Sequence, residues 1–165
     1  MALNYYTLQP DEVCLVKGNH TIGRQGLKPT HVTRHHLAYI GNGRDVVNNI
    51  WNHPTHPRAA SAHHVIGPKG WWTQTVWDMN TAWADASGWS NPRADTIEHS
   101  NDTGAPGWTI SDETIIKGAR VAAAYLLHRG NGRPVFGKNV KDHRDVSELG
   151  TSCPFHLANG GKYHN

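Results

Sequence analysis

Residues 141–154 read KDHRDVSELGTSCP, and the rest of the chain is organised around this stretch. It carries His143 and, ten positions later, Cys153, at the two ends of a short polar loop. An imidazole and a thiolate are ligands that zinc prefers, so one ion bound by both would hold the loop together. Two ligands do not complete a site. The remaining sequence therefore has to supply a third ligand, a base and a substrate groove.

The composition is that of one soluble globular domain. A chain of 165 residues, with 37 % hydrophobic and 18 % charged residues, is long enough for a single hydrophobic core. The net charge of +3 is spread along the chain, which suits an acidic polymer as partner but forms no stripe for nucleic acid. The 13 histidines suggest metal or proton chemistry and the 7 tryptophans a stacking surface, although several of these side chains could simply pack.

The sequence argues against secretion and against a membrane span, and it suggests a buried Cys14. Residues 1–16, MALNYYTLQPDEVCLV, lack a basic segment followed by an apolar one, so we expect no signal peptide. No apolar run is long enough to predict a membrane span. Cys14 lies in the apolar run Val13–Val16 and is expected to be a buried thiol, with a disulfide to Cys153 as the weaker alternative.

Strand and helix patterns are mixed along the chain, which predicts a single α/β domain. Residues 1–30 are expected to form an irregular N-terminal arm, and residues 79–92 a short helical turn and a loop. Strands are predicted at 32–40, 61–66, 71–77, 94–100 and 134–137. The GPKG sequence at 67–70 turns the second and third strands into a hairpin.

Two helices are predicted. The first is capped by Asp45 and closed by Pro54 and Pro57. The second is capped by Ser111 and stopped by Gly130. Its expected apolar face consists of Ile115, Ile116, Ala119, Ala122, Ala123, Leu126 and Leu127.

The pair His35-His36 lies in the first predicted strand and is a candidate source of the third ligand. Neighbouring side chains of a strand point to opposite faces, so only one of the two can face a metal. The spacing leaves open which one, and two packed histidines are an equally open interpretation. The same holds for His63-His64.

Six short motifs occur in a fixed order. They are HH at 35–36, SAHHVIGPKGWWTQTVW at 61–77, TAW at 81–83, DTIE at 95–98, HRDV at 143–146 and TSCP at 151–154. The ordered set resembles the zinc-dependent N-acetylmuramoyl-L-alanine amidases, which include amidase-type phage lysozymes and peptidoglycan recognition proteins. The resemblance implies a central mixed β-sheet flanked by helices, with one zinc ion in a groove above the sheet.

Site residues follow from this resemblance, position by position. It implies that His35, His143 and Cys153 are the zinc ligands, which leaves the fourth position for water, as in catalytic sites. Glu98 matches a glutamate that faces the metal and would act as the base. Thr151 occupies a position that is lysine or threonine in the family and would donate to the oxyanion. Asp145 is either an orienting partner of His143 or a solvent-facing carboxylate.

The resemblance also implies what the protein does. It predicts hydrolysis of the amide between the muramic acid lactyl group and L-alanine in bacterial peptidoglycan, by a monomer that binds neither nucleic acid nor membrane. Residues 1–165 would form one catalytic domain, with no wall-binding domain visible. Without a signal peptide, a phage endolysin is expected, made in the host cytoplasm and acting on the wall after release.

The chain also departs from the family pattern. Where many members have AWHAG, residues 82–86 read AWADA, and Phe155 replaces the glycine that usually follows Cys-Pro. Four tryptophans could line a sugar-stacking groove, or could pack: Trp71, Trp72, Trp83 and Trp89.

Two other functions remain open. One is a non-catalytic peptidoglycan-binding domain, which would often lose a zinc ligand. The other is a His-Asn-His metal nuclease, suggested by RHH, NN and H within residues 34–53. The nuclease would need a hairpin where residues 45–52 read as helix.

Overall fold

The computed structural model describes residues 8–158 and 160–164. The strands in this part of the chain are β1 (Glu12–Val13), β2 (His20–Thr21), β3 (His31–His36), β4 (His64–Ile66), β5 (Trp72–Gln74), β6 (Thr81–Ala82), β7 (Ala94–His99) and β8 (Val140–Asp142). The α-helices are α1 (Gly43–Val46), α2 (Asp112–His128) and α3 (His143–Val146). The helix α1 continues without a break as a π-helical turn, Val47–Trp51, and 3₁₀ turns occupy Pro68–Gly70 and Asn91–Arg93.

A mixed sheet of six strands lies at the centre, in the order β1-β5-β4-β7-β3-β8. The strands β3, β7 and β8 run parallel, as do β4 and β7, whereas β4 and β5 form an antiparallel hairpin. A small second sheet pairs β2 with β6. The predicted α/β class, with a central mixed sheet flanked by helices, is confirmed.

The predicted hairpin and the strand at 94–100 are also present, although most strands are shorter than their apolar runs. The first predicted strand ends at His36 rather than at residue 40. The first helix begins earlier than predicted, because Asn42 is its N-cap and Asp45 is the third residue of the helix. The Asp45 carboxylate accepts the Asn42 backbone N–H at 2.9 Å, which is half of a capping box.

Three predictions of secondary structure were wrong. Residues 79–92, expected to form a short helical turn and a loop, contain the strand β6. The segment 134–137 is a turn in which the Val135 carbonyl accepts the backbone N–H groups of residues 138–140, and the strand is β8, three residues later. The N-terminal arm, from residue 8 onward, is not irregular throughout. It adds β1 to the edge of the main sheet beside β5 and supplies β2.

The helix α2 begins as predicted but turns a different face to the sheet. Ser111 accepts the Thr114 N–H at 3.3 Å, as an N-cap should. The buried residues are Thr114, Gly118, Val121, Ala122, Ala124 and Leu126. Ile116 is 50 % exposed and Leu127 38 % exposed, so both lie outside the interface. Small and polar residues take their place because the helix lies close to the sheet: the Thr114 hydroxyl donates to the Gly67 carbonyl at 2.9 Å.

The sheet separates two hydrophobic clusters. Under α2, the cluster includes Val32, Ile66, Trp72, Ile97, Val121 and Leu126. On the opposite face, the cluster under α1 and its π-helical extension includes Val46, Val47, Trp51, Val65 and Val76. Because side chains alternate along a strand, His35 and Glu98 emerge on the second face, beside α1.

Candidate metal centre

Parallel strands bring the candidate ligands to one end of the sheet. In the pairing of β3 with β7, His35 lies directly opposite Glu98. On the other side of β3, the strand β8 ends at Asp142, and His143 follows as the first residue of α3. The ends of these parallel strands meet at the same edge, so side chains far apart in sequence become neighbours.

Three donor side chains meet at this edge. His35, His143 and Cys153 each offer a ligand atom, and these atoms all lie within 4.8 Å of one another. The two imidazole rings are 4.4 Å apart, and the Cys153 Sγ lies 3.9 Å from the His35 Nδ1. Among the residues that the structure describes, this is the only group of three or more such side chains. The geometry therefore brings together the set that the resemblance implied.

The donor set fits zinc in its chemistry and in its hydrogen bonding. Two imidazoles and a thiolate with room for water are a frequent catalytic zinc set. The His143 Nε2 is buried and has no hydrogen-bond partner within the described residues. A buried polar nitrogen without a partner is costly, and a metal would satisfy it.

Backbone contacts hold Cys153 in place. Its N–H donates to the Thr151 Oγ1 at 3.1 Å, and its carbonyl accepts the Arg144 N–H at 2.9 Å. The His36 backbone N–H donates to the Cys153 Sγ at 3.4 Å. The His36 ring lies edge-on to Trp108, at 5.8 Å, and is not part of the donor group. The thiol is thus tied both to its own loop and to the end of β3.

Sequence reasoning missed Asp85, a fully buried carboxylate behind the donor group. Its Oδ1 accepts the Thr33 hydroxyl at 2.9 Å and lies 3.0 Å from the His35 Nε2, while its Oδ2 accepts the Ser90 hydroxyl at 2.5 Å. The charge of Asp85 also opposes the lowering of the His143 pKa by burial. The signal in the sequence was the acidic residue of AWADA at 82–86, where the family motif AWHAG has none.

Asp145 has a different partner from the one considered. Its Oδ2 accepts the Asp142 backbone N–H at 3.2 Å and completes a capping box at the start of α3. The carboxylate therefore stabilises the turn that carries His143.

Burial and close pairing shift the pKa values in the centre. Burial alone would lower the pKa of His35, but its hydrogen bond to Asp85 raises that pKa well above 6.5. Burial would raise the pKa of Asp85, yet the bonds from His35 and Ser90 bring it below its usual value. Burial, with repulsion from His35, lowers the pKa of His143 to about 4. Burial raises the pKa of Glu98.

Glu98 stands beside the donor group without joining it. Its Oε1 lies 3.9 Å from the His35 Nδ1, beyond hydrogen-bond distance. Its Oε2 is buried and has no partner among the described residues. The neighbouring Ile97 is 1 % exposed and packs under α2, so Glu98, on the other face of the strand, points to the cleft.

An open cleft leads to this centre. The residues that line it include His35, Glu98, His143, Thr151 and Cys153, together with Ile50, Trp51, Arg58 and Ala84. Arg58 and Trp51 were not among the predicted site residues.

The four predicted sugar-stacking tryptophans are absent from this lining. Trp72 is only 2 % exposed and packs under α2, with its indole N–H donating to the His64 Nδ1 at 3.2 Å. It has no free face for a sugar. Trp71, Trp83 and Trp89 are 45 %, 38 % and 51 % exposed, and Trp89 stacks on the His31 ring at 5.4 Å.

Solved structures share this fold. PlyL matches with a TM-score of 0.71 and 18 % identity over 95 % of this chain and 93 % of that one. A selenomethionine derivative of AmpD gives 0.67 and 18 % over 100 % and 95 %. The Ph2119 endolysin, from the Thermus scotoductus MAT2119 bacteriophage Ph2119, gives 0.62 and 18 % over 87 % of each chain. No family model and no curated protein sequence matches.

The protein therefore has the fold of the N-acetylmuramoyl-L-alanine amidases, as the ordered motifs predicted. At these identities the likeness establishes the fold, and the reaction has to be argued from the site. In the described part of the chain, no helix has the length and apolar character needed to cross a bilayer.

Proposed function

We propose that this protein is a zinc-dependent N-acetylmuramoyl-L-alanine amidase. It hydrolyses the amide between the lactyl group of muramic acid and L-alanine in bacterial peptidoglycan. The observation that carries the proposal is the meeting of His35, His143 and Cys153 within 4.8 Å at an open cleft, with the partly buried Glu98 beside them. The amidase fold supports the same reaction class.

One zinc ion per chain would be held by His35, His143 and Cys153. When bound, zinc polarises the amide carbonyl and lowers the pKa of a water ligand to about 7. The protein's part is to fix the donors. Burial and backbone contacts hold their side chains in place, so little reorganisation is needed during the reaction.

Glu98 is the proposed general base and acid. Its carboxylate lies close to the centre but outside the donor group, so it can accept a proton from water and pass it to the leaving amine. Burial raises its pKa, which makes the carboxylate a better acceptor for the proton of the water. Thr151 lines the same cleft, and its oxygen already accepts the Cys153 N–H. Its hydroxyl hydrogen remains available for the developing oxyanion.

Two alternatives are weaker on the same evidence. A non-catalytic peptidoglycan-binding domain has no need of a complete donor set with the Glu98 carboxylate beside it. A His-Asn-His nuclease needs a β-hairpin next to its metal, whereas residues 43–51 form a continuous helix.

The biological setting is part of the proposal. A single catalytic domain that degrades cell walls suits a bacteriophage endolysin, made in the host cytoplasm and active as a bacteriolytic, antimicrobial monomer after release. The structural likeness to the Ph2119 endolysin supports this setting.

Digestion of purified bacterial walls tests the reaction. The amidase proposal predicts new L-alanine amino termini and no new reducing sugar ends. A glycosidase, which normally uses paired carboxylates, would release reducing ends instead. Reducing ends without new amino termini would overturn the proposal. A plasmid-nicking assay on the same sample tests the nuclease alternative.

A further inference from the structure

Asp85 is built into the metal centre from behind. It is fully buried, 50 positions from His35, and reaches the sheet from the segment between β6 and β7. A buried carboxylate is costly unless each oxygen has a partner. Here both oxygens have partners, and one of those partners is a proposed zinc ligand.

The hydrogen bond of Asp85 selects which nitrogen His35 presents. The His35 Nε2 lies 3.0 Å from the Asp85 Oδ1, so this nitrogen carries the proton and the Nδ1 keeps its lone pair. The Nδ1 is the atom that faces the Cys153 Sγ, at 3.9 Å. Asp85 thus leaves the His35 nitrogen on the side of the donor group free to bind a metal.

Thr33 and Ser90 hold the Asp85 carboxylate in turn. The Thr33 hydroxyl donates to the Oδ1 at 2.9 Å from the same strand as His35, and the Ser90 hydroxyl donates to the Oδ2 at 2.5 Å. The Asp85 backbone N–H donates to the Asn91 side chain at 2.8 Å. The carboxylate therefore cannot turn away from His35 without breaking several bonds.

We propose that Asp85 is a positioning residue that fixes the tautomer and orientation of the His35 donor for the metal. Carboxylates behind zinc-bound histidines also make the imidazole more basic, and their loss typically weakens metal binding about 10–100-fold. This inference rests on the proposed function, because it takes His35 and His143 as ligands. It adds a residue of this chain at the place where the AWHAG motif is altered.

The test is the zinc affinity of Asp85→Asn, measured by competition with a chromophoric chelator. The amide keeps the shape of the side chain but loses the charge, so we expect the affinity to fall about 10–100-fold. The melting temperature in excess chelator should stay close to that of the wild type, which separates positioning from a purely structural role. Asp45→Asn is the matched control: its carboxylate caps α1 through the Asn42 N–H and lies outside the donor group, so its zinc affinity should match the wild type.

Cobalt(II) substitution supplies a second readout. In Asp85→Asn, the ligand-field bands should shift, because they report the geometry of the donors. If that variant does not fold, Thr33→Val tests the proposal instead. It removes one hydrogen bond to the Asp85 Oδ1 and should also weaken zinc binding. Unchanged zinc affinity in the folded variants, with normal binding by the wild type, would overturn the role of Asp85 alone. A wild-type protein that binds no zinc would overturn the proposed function as well.

Discussion

At the scale of single residues, the centre depends on a few side chains whose surroundings differ sharply. His35 is paired with a carboxylate, whereas His36, the next residue, lies against Trp108. Glu98 lies opposite His35 on the neighbouring strand, and one of its oxygens has no partner in the part of the chain that the structure describes. These differences give each residue a separate test.

Replacing Glu98 by Gln should remove the base and keep the shape. General acid–base catalysis typically contributes about 10²–10⁴-fold, so wall lysis should fall by that order while the zinc content stays unchanged. Turbidity loss and zinc stoichiometry can be measured on one purified sample. Undiminished lysis would end the assigned role, and loss of zinc would make Glu98 a ligand instead.

Replacing Cys153 by Ser should release the metal. A hydroxyl is a much poorer zinc ligand than a thiolate, so metal analysis should find well under one zinc per chain and lysis should stop. The pair His35→Ala and His36→Ala tests the strand face: only the former should lose zinc. Full zinc occupancy in Cys153→Ser would exclude this residue from the site.

At the scale of elements, α2 and β7 meet at a point that has no room for a methyl group. A Cβ added at Gly118 would lie 2.1 Å from the His99 Nε2. The other ring nitrogen of His99 lies 2.9 Å from the His35 carbonyl. The helix α2 therefore contacts β7 through the buried ring of His99, and the same ring contacts the backbone of His35.

Gly118→Ala should therefore destabilise the protein. Alanine favours a helix over glycine by about 1 kcal/mol, but overpacking a buried contact costs about 1–3 kcal/mol. We expect a lower free energy of unfolding in urea. Gly88→Ala, where an added Cβ meets nothing within 4 Å, is the control and should leave stability near the wild type. Equal or higher stability in Gly118→Ala would show that the helix can move away from His99.

At the scale of the whole molecule, buried neutral histidines make the fold sensitive to acid. Burial lowers the pKa of His31 to about 4 and that of His64 to about 3, and burial with repulsion from Arg24 puts the pKa of His63 well below its usual value. Their contribution to stability is complete above the unfolded pKa of about 6.5 and is lost as the pH falls below it, because only the unfolded chain takes up protons there.

When the pH falls from 7 to 5.5, each of these histidines should lower the free energy of unfolding by about 1 kcal/mol. Urea titrations at the two pH values measure the loss. His64→Gln keeps an acceptor for the Trp72 N–H and should reduce the loss by about 1 kcal/mol. The same replacement at His56, in an exposed loop, is the control. An unchanged loss in His64→Gln would mean that the folded protein tolerates a charged His64.

Local pattern was sufficient for much of the fold and of the candidate site. Strand alternation placed Glu98 opposite in direction to Ile97, the Pro and Gly of GPKG marked the hairpin, and Ser111 marked the start of α2. The ordered motifs led to the amidase fold and to the trio His35, His143 and Cys153. These features depend on a few neighbouring residues or on residue types in order, which a sequence displays directly.

Tertiary packing decided the remainder. Asp85 meets His35 across 50 positions, Gly118 is required by a ring on another element, and Trp72 is buried while Trp71 is not. Strand β8 was predicted several residues too early because turn contacts between Val135 and Asn139 determine where pairing begins. Helix and strand periods tell which residues share a face but not what packs against that face. Only the folded chain brings distant donors, acceptors and apolar surfaces within contact distance, and the free energy of those contacts selects the final arrangement.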